Sequence, residues 1–324
     1  MLCIDSPYFN AHFNNAAEEY LLKSKNGSFF MLYSNEQAVI VGKHQNVVAE
    51  VNLKYCDENH ILLSRRISGG GTVFHDPGNL NFCFITDAVA GKQVNFRKNT
   101  EPVFQILQNL GLNVYYGNRN ELLINDLKIS GNAEHIFKNR VLHHGTLLFS
   151  TDLEKLKYVI NPDPHNYKDK SVKSVQHQVG NIKAFLHNIA DINQFRRYLF
   201  DEILRSCKGN KYQLSEYDNN NIQQLVSSKY EKTEWIFGYS PAYVIRKTIS
   251  IKGDDLDFEL NVKDGKIDSL KIEGIENTDP FIQEAFCMLQ TVPHHPKALK
   301  DIFQKLSEKY NLGSKIEHWV YEFF

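Results

Sequence analysis

The order of apolar and polar positions divides the chain into a long first part and a short last one. In "FNNAAEEYLLKS", Phe13, Ala16, Ala17, Tyr20 and Leu21 recur at helical spacing with Glu18 and Glu19 opposite, which predicts a helix docked on a core. "FFMLYSNEQAVIVG" predicts two strands joined at residues 34–37, the second ended by Gly42. "ILLSRRI", "TVFHD" and "LNFCFIT" are three further strand candidates, rich in β-branched and aromatic residues. Val103, Ile106, Leu107 and Leu110 predict a helix with Gly111 at its C-terminal cap. "NELLINDLKISGNA" predicts a hairpin turning at Asn125 and Asp126, and "HHGTLLFS" predicts another strand. This mixture predicts an α+β domain, a mixed sheet carrying helices, and not a doubly wound one.

Beyond it, "NPDPHNYKDKSVKSVQHQVGNI" is polar and contains proline, which predicts an ordered surface loop or lid. Helical spacing resumes in "DINQFRRYLFDEILRSC". After "EWIFGYSPAY" the pattern changes to period two in "KTISIKG", "LDFELNV" and "KIDSLKIEG", with a hairpin turn at Lys263-Asp264-Gly265-Lys266. Leu299, Ile302, Phe303, Leu306 and Tyr310 then indicate helices. Two domains are therefore expected, residues 1–242 and a small α+β module over 247–324.

Composition narrows the class. With 37 basic and 38 acidic residues the net charge is -1, so no overall electrostatic footprint marks a nucleic-acid or membrane-surface protein, and an anion site has to be local. The five cysteines are odd in number and lack a C-x-x-C pair, which fits reduced thiols and no zinc cage. The opening "MLCIDSPYFN" has no basic start, and no run approaches the roughly 18 apolar residues of a membrane span, so a cytoplasmic protein is expected.

The chemistry concentrates in residues 62–84, "LLSRRISGGGTVFHDPGNLNFCF". Glycines let another molecule approach the main chain and leave N–H donors for an anion, and Arg65 and Arg66 supply fixed charge beside them. By themselves, Gly69, Gly70 and Gly71 fit a phosphate cradle or a hairpin tip; neither G-x-x-x-x-G-K-[ST] nor G-x-G-x-x-G is present. In "NDLKISGNA", Lys128 is either a surface lysine or an ammonium facing a ligand, and "HHGTLLFS" puts His144, Gly145 and Thr146 at the head of a strand. The histidines show no H-E-x-x-H, and His143 and His144 would point opposite ways on a strand. No metal ligand set follows.

In order and spacing, "RRISGGGTVFHDPGNLNF", "NDLKISGNA" and "HHGTLLFS" resemble the lipoate-protein ligase family of the biotin and lipoate protein ligase superfamily. "FNNAAEEYLL" is similar to the family's first helix, and "EWIFGYSPAY" to the start of its C-terminal accessory domain. The resemblance implies a large mixed-sheet catalytic domain and a small accessory domain. It implies ATP-dependent activation of lipoate, with Mg2+, to lipoyl-AMP and pyrophosphate. The lipoyl group then passes to a lysine of an apo lipoyl domain of a 2-oxoacid dehydrogenase or of the glycine-cleavage H protein. Mapped by motif, Arg66 with Gly71, Thr72, Val73 and Phe74 holds the nucleotide, Arg65 and Ser68 lie nearby, and Lys128 bridges the lipoate carboxylate and the α-phosphate. His144, Gly145 and Thr146 are expected at the acyl site, and a monomer is expected.

The chain departs from the family pattern in two places. Glu121 stands where an aspartate is usual, and Gln176 and Gln178 stand in the lid where arginines are usual. The alternatives are an octanoyltransferase, whose ligase-like branch uses a cysteine that no position between Cys83 and Cys207 supplies, and a non-catalytic protein binding lipoate or lipoyl-AMP. A biotin ligase lacks support, since Gly-Arg-Gly-Arg is missing.

Overall fold

Six strands form the central sheet in the spatial order Asn132–Phe137, Arg140–Leu148, Asn79–Asp87, Phe29–Tyr33, Leu2–Asp5 and Asn210–Lys211. The first four pair antiparallel and the last two join in parallel, so the sheet is mixed and the fold is α+β. This computed structural model describes residues 1–88, 95–160, 164–175, 177–251, 254–273 and 280–324. Gln176 and the end of the predicted "KTISIKG" strand lie outside the described residues.

Side chains alternate across each strand, and the two faces of the sheet serve different ends. On one face Phe30, Phe82, Phe84 and Leu147 join Val103, Ile106 and Leu107 of the helix Phe96–Asn109 and Phe195, Leu199 and Ile203 of the helix Ile192–Ser206 in one apolar core. The former helix begins earlier than its apolar spacing suggests, because the Asn95 side chain caps it by accepting from Lys98 N–H; Gly111 follows its end at φ +83°. Against the opposite face lies the first helix, Ala11–Ser24, capped by Asn10.

That helix is not half-solvated, as its spacing predicted. Glu18 and Glu19 are both buried. Each carboxylate is tolerated there because it is paired: Glu19 accepts from Lys23 at 2.7 Å and from Lys229 and Tyr230 at 2.6 Å, while Glu18 turns toward the sheet. The strands Phe29–Tyr33 and Ala38–Val41 do not form a hairpin with each other. The second leaves the central sheet and lies between Leu62–Arg65, parallel, and Val73–His75, antiparallel. It thereby brings the two ends of the glycine run together.

By internal packing the chain divides into two units, Met1–Gly42 with Leu62–Lys157 and Ser174–Glu231, and Lys43–Ile61 with Tyr158–Lys173 and Lys232–Phe324. The second takes in two segments from within residues 1–242. They are tied together by Asn52 N–H to Val159 O and Val172 N–H to His44 O. Its sheet runs Tyr167–Asp169, Tyr243–Ile251, Asp254–Lys263, Lys266–Ile272, all antiparallel, with Asp264 and Gly265 at φ +50° and +70° in the predicted turn. The helices Pro280–Leu289 and Pro296–Tyr310 follow.

Candidate active site

The three sequence motifs and the lid segment from Ser174 onward all belong to the first unit. Two of the three glycines in the run are required by geometry. Gly70 takes φ +89°, a left-handed conformation costly for residues with a Cβ. At Gly71 a Cβ would stand 3.2 Å from Ser174 Oγ, whereas at Gly69 it would meet nothing within 4 Å. Gly42 is a fourth member that sequence reading took only as a strand end. A Cβ there would lie 2.1 Å from the carbonyl oxygen of Gly70, so the loop folds directly onto it.

Arg66 organises this loop from inside. Nη2 donates to Gly69 O and Gly71 O at 2.7 Å each, Nη1 donates to Ile40 O at 3.0 Å, and Nε donates to Ser68 Oγ at 3.1 Å. Burial lowers its pKa to about 10, against the opposing charge of Glu18. Arg65 is fully buried and donates to Gly42 O at 2.9 Å. Neither guanidinium stands out in solvent. Val73 and Phe74 lie in the edge strand against Ile40 and Val39, with the Phe74 ring buried. Thr72 N–H donates to Ser174 Oγ at 2.9 Å, so the lid segment touches the loop at the backbone donor proposed for an anion.

The second motif forms the predicted hairpin. Asn125 and Asp126 have φ +50° and +63°, the turn that matches strand twist, between Leu122–Ile124 and Leu127–Ser130. Lys128 sits on the latter strand, and the lid zips along its free edge: Lys128 N–H donates to Gln178 O at 2.9 Å and Gly180 N–H to Lys128 O at 3.0 Å. Gln178 thus contributes its backbone. Lys128 Nζ lies over Gly131, 3.3 Å from where a Cβ would be, and the ideal Cβ position is 3.9 Å from Thr146 Oγ1. Gly131 and Thr146 exchange two hydrogen bonds, N–H to Oγ1 at 3.1 Å and Thr146 N–H to Gly131 O at 3.0 Å. The second and third motifs are therefore one site.

Burial lowers the pKa of Lys128; the nearby charge of Arg66 lowers it further and Glu121 opposes. Among the described residues no acceptor bonds its Nζ and no carboxylate lies within 4 Å of it. Glu121 is engaged otherwise, accepting from Arg119 N–H at 2.7 Å. Sequence reading missed His177 in the lid, whose pKa is lowered by burial and then by the charge of Lys128. Its only signal was its place between the two glutamines.

His143 and His144 do point opposite ways, the first to Thr100 and Glu134, the second to Ser68 and Glu18. Gly145 between them is required by contact: a Cβ would stand 2.3 Å from Asn132 Oδ1 and 2.5 Å from the Phe82 ring. Among the described residues no group of three or more His, Cys, Asp or Glu side chains is placed to hold a metal ion. Nor is any described helix long and apolar enough to cross a membrane.

A loop bound by a buried arginine, with a lysine nearby that has no partner among the described residues, is the arrangement of a catalytic domain that handles anions. The family model for the lipoyl protein ligase A/B catalytic domain matches residues 10–204, and the chain belongs to this family. It is 40% identical over 263 residues to lipoate–protein ligase 1 of Staphylococcus aureus, covering 81% of this chain and 80% of that protein. It is 34% identical over 320 residues to the lipoate-protein ligase LplJ of Bacillus subtilis, covering 97% of each. Among solved structures, a bi-partite lipoate protein ligase described with its E2 lipoyl domain from Thermoplasma acidophilum aligns with TM-score 0.62 and 27% identity over 74% of this chain and 96% of that one. A lipoate-protein ligase A bound with ATP aligns with TM-score 0.62 and 26% identity, over 74% of this chain and 98% of that chain.

Proposed function

We propose that the chain is an ATP-dependent lipoate-protein ligase in which Lys128 is the chemical cation. The observation that carries this role is the half-buried Nζ of Lys128, which has no partner among the described residues. It sits against Gly131, which is hydrogen-bonded to Thr146, in the same unit as the glycine loop. A half-buried ammonium without a counter-ion among the described residues is costly, and a site that keeps one is suited to an anionic ligand. A carboxylate oxygen of lipoate attacks the α-phosphorus of ATP, the bond to the β-phosphate bridging oxygen breaks, and pyrophosphate leaves. Lys128 brings the two repelling anions together and stabilises charge as it develops. The acceptor lysine amine then attacks the lipoyl carbonyl, an amide forms with loss of a proton, and AMP departs.

The main-chain donors of Gly71, Thr72 and the following strand are assigned to the nucleotide, with Ser174 giving way at Thr72. Arg66 and Ser68 shape the loop, while Gly145 and Thr146 border the acyl end. Magnesium would come with the phosphate oxygens, and Glu121, whose charge acts on Lys128, is the carboxylate assigned beside it. Cytoplasmic action suits five free thiols. An acyl-cysteine route has no such support: Cys83 is buried and its thiol is pushed well above the ordinary range by burial and by Glu18, which disfavours the thiolate.

The test is intact-mass measurement of an apo lipoyl domain and an apo H protein, each incubated with the chain, lipoate, magnesium and ATP. A lipoyl increment that requires ATP is expected on one of them. Its absence, together with absence of protein-bound lipoyl-AMP, would refute the assignment.

A further inference from the structure

Beneath the glycine loop runs a relay of hydrogen bonds that joins three distant parts of the first unit. Glu18 Oε2 lies 2.7 Å from His144 Nδ1, His144 Nε2 lies 2.6 Å from Ser68 Oγ, and Ser68 Oγ accepts from Arg66 Nε at 3.1 Å. Tyr33 Oη donates to the other Glu18 oxygen at 3.0 Å. Every member is buried. We infer that Glu18 is a positioning residue for adenylation: through His144 and Ser68 it sets the orientation in which Arg66 holds the glycine loop. This rests on the ligase reading above.

The direction of the protons makes the argument specific. Arg66 Nε can only donate, so Ser68 Oγ accepts from it and sends its own hydrogen to His144 Nε2. That nitrogen must then present a lone pair, which places the ring hydrogen on Nδ1, where a carboxylate oxygen receives it. Both Glu18 oxygens are thus acceptors, and the relay closes without an unmatched donor. Its charge also opposes that of Arg66. Glutamine has nearly the same shape but supplies one acceptor and one NH2 group. Either Tyr33 Oη or His144 Nδ1 would then face an N–H. If the ring hydrogen moved to Nε2, Ser68 would receive two donors and its own hydrogen would find no acceptor among the described residues. The disturbance would reach Gly69 and Gly71 through the two 2.7 Å bonds of Arg66 Nη2.

Two readouts on the full chain test this. Nitrogen NMR of the His144 ring is expected to show the hydrogen on Nδ1 in the wild type. Lipoate-dependent ATP–pyrophosphate exchange is expected to show KM for ATP raised about tenfold in Glu18→Gln and in Ser68→Ala, with little further loss in the double variant, the coupling of residues in one network. Glu19→Gln serves as the control for damage to the same helix: it should lower the melting temperature while the His144 nitrogen pattern stays as in wild type. Hydrogen on Nε2 in the wild type, a KM for ATP unchanged in Glu18→Gln, or additive losses in the double variant would each overturn the inference. Exchange absent from the wild type would refute the ligase reading instead, and the NMR result would still decide the relay. If Glu18→Gln does not fold, the wild-type ring pattern and Ser68→Ala remain decisive.

Discussion

Gly42→Ala is the substitution whose consequence is most directly calculable. The added Cβ would lie 2.1 Å from Gly70 O, 3.1 Å from Gly70 C and 3.2 Å from Arg66 Nη2. A carbon and a carbonyl oxygen settle at about 3.3 Å or more, so the Gly70 carbonyl has to move by about 1 Å. Arg66 Nη2 holds the carbonyls on either side at 2.7 Å, and a shift of that size weakens both bonds, each worth ~2 kcal/mol as a contact with a charged group. Overpacking of this kind costs roughly 1–3 kcal/mol in stability, and displacement of positioned donors by about 1 Å costs on the order of 10²-fold in rate. The expected result is a folded protein, melting several degrees lower, with lipoate-dependent ATP–pyrophosphate exchange down by about two orders of magnitude. Gly69→Ala is the comparison, because its Cβ meets nothing within 4 Å; it is expected to lose less than about tenfold. Equal rates in Gly42→Ala and wild type, or a greater loss in Gly69→Ala, would refute the claim that close approach at Gly42 sets the loop.

Lys128→Ala is expected to reduce exchange by at least about 10²-fold while changing the melting temperature little, since it removes a cation that has no partner among the described residues and opens no core; substantial lipoate-dependent pyrophosphate release by the variant would rule the role out. Gly71→Val is expected to press on Ser174 and obstruct main-chain approach, with ATP affinity lost in calorimetry; unchanged affinity would mean that Gly71 serves only the turn. Acid sensitivity follows from His75 and His294, whose pKa values burial lowers from 6.5 to about 3. Between those values the unfolded chain binds a proton that the folded chain refuses, so stability falls as pH drops from about 6.5 toward 3 and is level above it. Down to pH 4 the loss is on the order of 3 kcal/mol per histidine. Denaturant midpoints that stay constant from pH 7 to 4 would contradict it.

Much of the architecture was legible because local signals agreed with the fold. The Asn125-Asp126 and Asp264-Gly265 turns adopted the positive φ values that their residue types allow, and "HHGTLLFS" falls largely on the strand Arg140–Leu148. What could not be read was set by partners distant in sequence. Glu18 looks like a solvated glutamate until His144, 126 positions away, and Tyr33 are brought to it. Gly42 looks like an ordinary strand end until the chain returns 28 residues later to lay Gly70 on it. The lid was recognisable as polar loop, yet its pairing with Lys128 uses backbone groups, which no side-chain pattern encodes.

Arg66 and Lys128 turn out to differ in kind, and the difference follows from hydrogen-bond supply. Arg66 donates from all three of its nitrogens to four acceptors of the protein itself, with Glu18 opposing its charge, so its geometry is fixed before any ligand arrives. Lys128 Nζ has no acceptor of its own among the described residues, and the residue is tied to the lid through its backbone bonds with Gln178 and Gly180. Exchanging their chemistry would fail in both directions. A lysine at 66 has one nitrogen and could not span Ile40, Ser68, Gly69 and Gly71, so the loop would lose its frame; Arg66→Lys should therefore resemble Gly42→Ala in exchange rate while leaving Lys128 in place. An arginine at 128 would keep the charge but bring a wider planar group against Gly131, where Nζ already stands 3.3 Å from the position of a Cβ. Lys128→Arg is accordingly expected to retain the fold and lose adenylation, and wild-type exchange in that variant would show that charge alone, without its compact shape, is sufficient at this position.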